Sequence, residues 1–181
     1  MKKALVMITM LAVMSALALP LLAADAQYIG ANKCKMCHKS EKKGNQFGKW
    51  QAGPHAKAYA TLATDEAKAV AKKAGVAGDP QQAKECLVCH VTAFDAPASA
   101  KAATFKIEEG VTCEACHGPG SLYKSMKVMK ALRAGTQDAA AVAYARGDEK
   151  TCITCHNKKS PTYRPFNYAE KWKKIDHSMP K

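Results

Sequence analysis

The chain has 181 residues, 48% of them hydrophobic, with 28 lysines and arginines against 15 acidic side chains and a formal net charge of +13. Its four phenylalanines and two tryptophans offer too little bulk for an ordinary side-chain core at this length. Beyond the N-terminus no apolar run is long enough to cross a bilayer, which excludes a bundle of membrane spans.

At the start, Lys2 and Lys3 precede an apolar run from Ala4 to Leu19, then Pro20 and the small-residue triplet Ala24-Asp25-Ala26. That order is the layout of a secretory signal peptide, with an uncleaved anchor as the alternative. The expected division is a signal peptide over 1–26 and a single domain over 27–181. The expected compartment is the periplasm. Without the signal the chain keeps 26 basic and 14 acidic side chains, a formal +12.

A five-residue pattern first occurs at Cys34-Lys-Met-Cys37-His38, followed by the aromatic residues Phe47 and Trp50 and by Gly53-Pro54-His55. Thr64 then predicts a helix cap, with Asp65 and Glu66 in the first turn, an alanine-lysine run, and Gly75 as the stop. Gly78-Asp79-Pro80 predicts a turn. The pattern returns at Cys86-Leu-Val-Cys89-His90 and Cys113-Glu-Ala-Cys116-His117, the latter running into Gly118-Pro119-Gly120. These glycines predict a sharp turn and a close approach of backbone to a flat ring, or simply a surface turn. A second helix is predicted from Ser121 to Ala134, capped by Ser121, with Leu122, Met126, Met129 and Leu132 on one face. A third is predicted over about Asp138 to Arg146. The fourth pattern, Cys152-Ile-Thr-Cys155-His156, precedes a tail helix predicted from Tyr168 to Ile175, and His177 follows.

These four motifs contain every cysteine of the chain, and C-x-x-C-H is the attachment site of a c-type haem. Two thiols three positions apart on a helical turn can each add to one vinyl group of the same porphyrin. The adjacent histidine then reaches the iron. Zinc sites also use C-x-x-C pairs but do not require a histidine directly after each second cysteine, and a disulfide framework leaves all four histidines unexplained. The expected cofactors are therefore four haems, thioether-linked to Cys34, Cys37, Cys86, Cys89, Cys113, Cys116, Cys152 and Cys155, with His38, His90, His117 and His156 on the irons. The expected fold is mainly α, short helices and loops wrapped around four covalently bound haems that supply the missing core. Haem propionates reduce the positive charge without abolishing it. The excess predicts lysines neutralising propionates, with steering toward an acidic redox partner where a cluster lies beside an exposed haem edge. Nucleic acid is excluded as a partner, because an exported haem protein meets no genome.

Four irons offer eight axial positions, and the chain has six histidines. After the four proximal ligands only His55 and His177 remain as distal ones. Either methionine fills the gap, raising the reduction potential, or an iron stays open to a small molecule. Met126 and Met129 are the candidate thioether ligands, with packing against a porphyrin as the alternative.

Trp50 followed by His55-Ala-Lys-Ala, then Glu85-Cys-Leu-Val-Cys-His-Val, the stretch Gly110-Val-Thr-Cys-Glu-Ala-Cys-His-Gly-Pro-Gly120, and Tyr163-Arg-Pro-Phe166 beyond the last motif resemble the tetrahaem cytochrome c-554 family. The resemblance implies a periplasmic electron carrier with closely packed haems, three six-coordinate and one five-coordinate at the second motif, here His90. It matches the family's early distal histidine to His55 and its late one to His177. Where the family usually has a third, Ser121 to Lys130 contains none and Met126 falls nearby, so a His/Met haem is expected.

The leading expectation is thus electron transfer between respiratory redox partners, anaerobic respiration included, with no catalytic side chain. The alternative is a reductase or binder of nitric oxide or a related nitrogen oxide at one five-coordinate haem.

Overall fold

The computed structural model describes residues 25–179; the expected signal peptide falls almost wholly outside them. The described chain is built from short helices joined by turns and loops, and its only β-type pairing among these residues is an isolated parallel bridge between Tyr28 and Lys101. The helices are α1 (Lys35–His38), α2 (Gln46–Ala52), α3 (Ala58–Thr61), α4 (Asp65–Lys73), α5 (Lys84–His90), α6 (Glu114–His117), α7 (Met126–Ala134), α8 (Glu149–Ile153) and α9 (Tyr168–Ile175). Among the described residues none is long and apolar enough to cross a membrane.

Local chemistry explains where they start and stop. In α4 the Thr64 side chain accepts from the Ala67 N–H, acidic Asp65 and Glu66 occupy the positive first turn, and Lys72 and Lys73 the negative last one. In α9 Asn167 caps in the same way, accepting from the Glu170 N–H. Both helices match expectation.

The other two predicted helices need correction. Ser121 does not cap; Ser121 to Lys124 form a turn, and the Ser125 side chain accepts from the Val128 N–H to start α7 at Met126. The Ser121 hydroxyl instead accepts from the Gln27 N–H at 2.7 Å, a tertiary partner that local propensity does not reveal. The predicted helix over 138–146 is reduced to a 3-10 turn at Ala140–Val142, ended by Ala143 at φ 55°. Beyond it the Ala145 N–H donates to the His117 carbonyl, so the backbone bonds across the molecule rather than along a helix.

Side-chain burial is sparse, as the composition implies. Leu62, Leu87 and Val91 form the main cluster, joined by half-buried Tyr59, Phe94 and Phe105, and Phe47 is buried separately. Polar ties hold much of the rest. The Trp50 indole N–H donates to the Val111 carbonyl at 2.8 Å. Thr92 and Thr112, both buried, are joined through Thr92 Oγ1, which accepts from the Thr112 N–H at 2.7 Å. The N-terminal strip is held by two carboxylates, Glu109 accepting from Ala31 N–H and Glu114 accepting from Ile29 and Gly30.

Candidate haem centres

Each motif forms one helical turn. The N–H of the histidine reaches back to the carbonyl of the first cysteine, at 3.1 Å for His38 to Cys34, 3.0 Å for His117 to Cys113 and 3.0 Å for His156 to Cys152, while Cys86 to His90 lies inside α5. Spacing of i to i+4 puts that first thiol and the imidazole on one face of the turn, the arrangement that one ring attached and ligated by a single motif demands. All eight cysteines are free thiols, so no disulfide framework forms. Among the described residues no three His, Cys, Asp or Glu side chains converge on one point to hold a bare metal ion.

The histidines form two facing pairs. His55 and His156 have ring centres 6.1 Å apart, and His117 and His177 6.0 Å apart. Two imidazoles bonded to opposite faces of one metal at about 2 Å each would hold their centres about 6 Å apart. Three rings are oriented by carbonyls: Nδ1 of His90 lies 2.8 Å from the Ala58 oxygen, that of His117 3.1 Å from Ala145, and that of His177 2.8 Å from Ile175. A carbonyl only accepts, so Nδ1 carries the proton and Nε2 keeps its lone pair free for iron. Burial lowers the pKa of His55, with His156 adding to the effect, and burial is also the largest cause lowering those of His117 and His156. Lower pKa values favour the neutral, ligating form.

Neighbouring thiols give the motifs an order in space. The Cys34 and Cys113 thiols are neighbours, and Cys34, with burial second, holds Cys113 well above the usual thiol range. Burial and the adjacent Cys155 push Cys89 up to about 11. Cys116 lies within electrostatic reach of Cys152 and Cys155. By their thiols the first motif adjoins the third, the third the fourth, and the fourth the second. A cavity of about 190 Å³ opens among the second, third and fourth, bordered by Val88, Cys89, Glu114, Ala115, Thr154 and Cys155.

Three side chains around the third motif escaped the sequence reasoning. Glu114, inside the motif, is 2% exposed and accepts from the N–H groups of Ile29, Gly30 and Gly120; its burial raises its pKa, against the lowering effect of those bonds. Tyr123 is buried, donates to the Gly118 carbonyl at 2.7 Å and packs edge-on against Tyr144. Tyr144 lies parallel to the His117 ring at 5.7 Å. A carboxylate between two haem cysteines was visible in the sequence, but its partners are 84 and 85 positions away or across a turn and left no local signal.

The glycines after His117 serve close approach, Gly118 to the chain's own backbone and Gly120 to side chains. Gly118 has φ 76°, and a β-carbon there would strike the Ala143 carbonyl; one on Gly120 would lie 3.0 Å from both Glu114 Oε1 and Ile29 Cδ1. Phe166, from the Tyr-Arg-Pro-Phe segment, stacks on His156 at 4.8 Å. Met126 is 59% exposed at the start of α7, Met129 is half-buried, and Met179 sulfur accepts from Arg133 at 3.3 Å.

Residues 33–118, which contain the first three motifs, match the family described as cytochrome c554 and c-prime. Together with four C-x-x-C-H turns, this defines the class: a c-type cytochrome, a protein whose prosthetic group is covalently attached haem with its iron. The matched stretch, somewhat under half of the chain, is similar to that family. A curated relative, cytochrome c-554 of Nitrosomonas europaea, is 38% identical over 106 residues, which is 57% of this chain and 43% of the relative. The match thus spans less than half of that relative's length. No solved structure matches the chain.

Proposed function

We propose that the chain is an exported, periplasmic electron carrier with four c-type haems, serving respiratory redox partners, anaerobic respiration included. One observation carries the reading: six histidines and eight unbridged thiols are arranged as four attachment turns, two of them faced by a second imidazole. Each iron, once bound, supplies a reversible ferric–ferrous couple.

The residues divide the work of holding four such groups. Cys34 and Cys37, Cys86 and Cys89, Cys113 and Cys116, and Cys152 and Cys155 take the thioether bonds, with His38, His90, His117 and His156 as proximal ligands. His177 faces His117 and His55 faces His156, so these two serve the third and fourth motifs. The carbonyls of Ala58, Ala145 and Ile175 fix the tautomers of His90, His117 and His177. Phe166 and Tyr144 flank the rings of His156 and His117 and keep water from them. No side chain is required to make or break a bond in substrate. Intact-mass analysis of the purified holoprotein tests the reading, since it must show four haem increments on a chain beginning near residue 27; fewer increments refute it.

A second reading has a specific ground. The histidine inventory leaves His38 and His90 without a facing imidazole, so one of the two irons would take a thioether, with Met126 and Met129 as candidates, and the other, that of His90 on the family resemblance, would stay five-coordinate and bind nitric oxide or a related nitrogen oxide. A high-spin ferric signal and a methionine-to-iron charge-transfer band in the holoprotein test it. Four low-spin bis-histidine-type signals would rule it out.

A further inference from the structure

Charge is distributed unevenly along the chain. Residues 27–64, which hold the first motif, carry seven lysines and one glutamate, a formal +6. Residues 65–114, which hold the second, carry six lysines and eight acidic side chains, a formal −2. Residues 115–181 carry thirteen basic and five acidic side chains, a formal +8. Two carboxylates of the second stretch, Glu109 and Glu114, accept from Ala31, Ile29 and Gly30 beside the first motif; with them moved there, the first motif keeps seven lysines against three acidic side chains, a formal +4, and the second stretch six against six.

The densest positive stretch surrounds the first motif: Lys33, Lys35, Lys39, Lys42 and Lys43 against Glu41 alone, all exposed. Met36, between the two cysteines, is 90% exposed, and Cys37 is exposed as well. Among the described residues the ion pairs are Lys68–Asp65 at 3.7 Å and Lys84–Asp95 at 3.8 Å, both inside the second stretch. Lys35 lies 5.8 Å over the Phe47 ring; the other four lysines point no charge at a carboxylate. The propionates of one haem cannot neutralise five lysines, so a positive excess remains where the first motif meets solvent.

We propose that this end, presented by Lys33, Lys39, Lys42 and Lys43 around Met36, is the docking surface for an acidic redox protein, while the second-motif end does not receive such a partner. The proposal rests on the electron-carrier reading and adds the place and chemistry of the contact. A positive rim around a small apolar centre raises the encounter rate with a negative face and aligns it over the nearest ring. An anionic membrane is the weaker match, because the basic residues sit on turns of three and four residues whose one exposed large apolar side chain is Met36, not on an amphipathic helix.

The test uses the holoprotein on a gold electrode coated with a carboxylate-terminated alkanethiol monolayer, which stands in for an acidic protein face. Interfacial electron-transfer rates are measured by voltammetry at low and high salt. The variant Lys39→Glu/Lys42→Glu/Lys43→Glu is expected to lose about tenfold in rate at low salt, and Lys72→Glu/Lys73→Glu/Lys106→Glu, of equal charge change, less than twofold. Unchanged visible spectra establish that both variants retain fold and haem. Equal losses in the two variants, or a larger loss in the second, overturn the proposal. Co-sedimentation with phosphatidylserine vesicles that the first variant loses, at an unchanged electrode rate, assigns the surface to lipid and also overturns it. A redox titration with neutral mediators separates the two levels: absence of any haem couple sinks the electron-carrier reading, whereas a normal titration combined with equal electrode rates in the two variants sinks the docking surface alone.

Discussion

Replacing Glu114 by alanine removes one side chain that ties three parts of the chain together. Its carboxylate accepts from Ile29 at 2.9 and 3.1 Å, from Gly30 at 2.8 Å and from Gly120 at 2.7 Å. Without it three N–H groups face a space in which the original side chain was 2% exposed. An unsatisfied buried donor costs about 1–3 kcal/mol. Relief of the carboxylate's own desolvation places the total near the lower end, about 3 kcal/mol for three donors. Guanidinium denaturation of the holoprotein, followed by far-ultraviolet circular dichroism, should show that loss at constant m-value. Hydrogen exchange at Ile29, Gly30 and Gly120 should accelerate at the same time. A loss below about 1 kcal/mol, or unchanged exchange at those amides, would refute the view that this carboxylate fastens the N-terminal strip to the third motif.

The same residue predicts a pH dependence. Burial raises the Glu114 pKa above its ordinary value, so between the unfolded value of about 4.3 and the folded one the native state holds a proton that the unfolded chain has released. This contribution is fully present below the unfolded value and is lost as pH rises through the folded one; the Glu114→Gln variant should lack that slope in denaturation midpoints measured across the range. His177→Ala should convert one low-spin haem, that of the third motif, and His55→Ala that of the fourth; electron paramagnetic resonance showing the same haem altered by both changes would break the pairing. Trp50→Phe removes the donor to Val111 and should lower holoprotein stability by about 1 kcal/mol, read from the guanidinium midpoint. Gly118→Ala places a β-carbon against the Ala143 carbonyl at positive φ and should cost about 1–3 kcal/mol; a neutral effect in thermal unfolding would contradict that close approach.

Local signals were legible wherever the interaction that decides an element lies within a few residues. The attachment turns, the Thr64 cap of α4 and the tail helix α9 all depend on contacts spanning three or four positions, and each follows from sequence. Helix α7 began later than expected because Ser121 is engaged by Gln27, and the expected helix near Asp138 gave way because Ala145 bonds to His117.

The amino-acid order by itself pointed to the prosthetic group, since covalent attachment needs only two thiols and an imidazole on one turn, and to a shortage of distal ligands for four such groups, since that is arithmetic on six histidines. Tertiary structure alone decided which imidazoles face each other, which motifs are neighbours and how Glu114 is satisfied. Those facts join residues tens of positions apart, and no spacing rule reaches that far: closing such loops is settled by the combined fit of burial and hydrogen bonding over the whole chain.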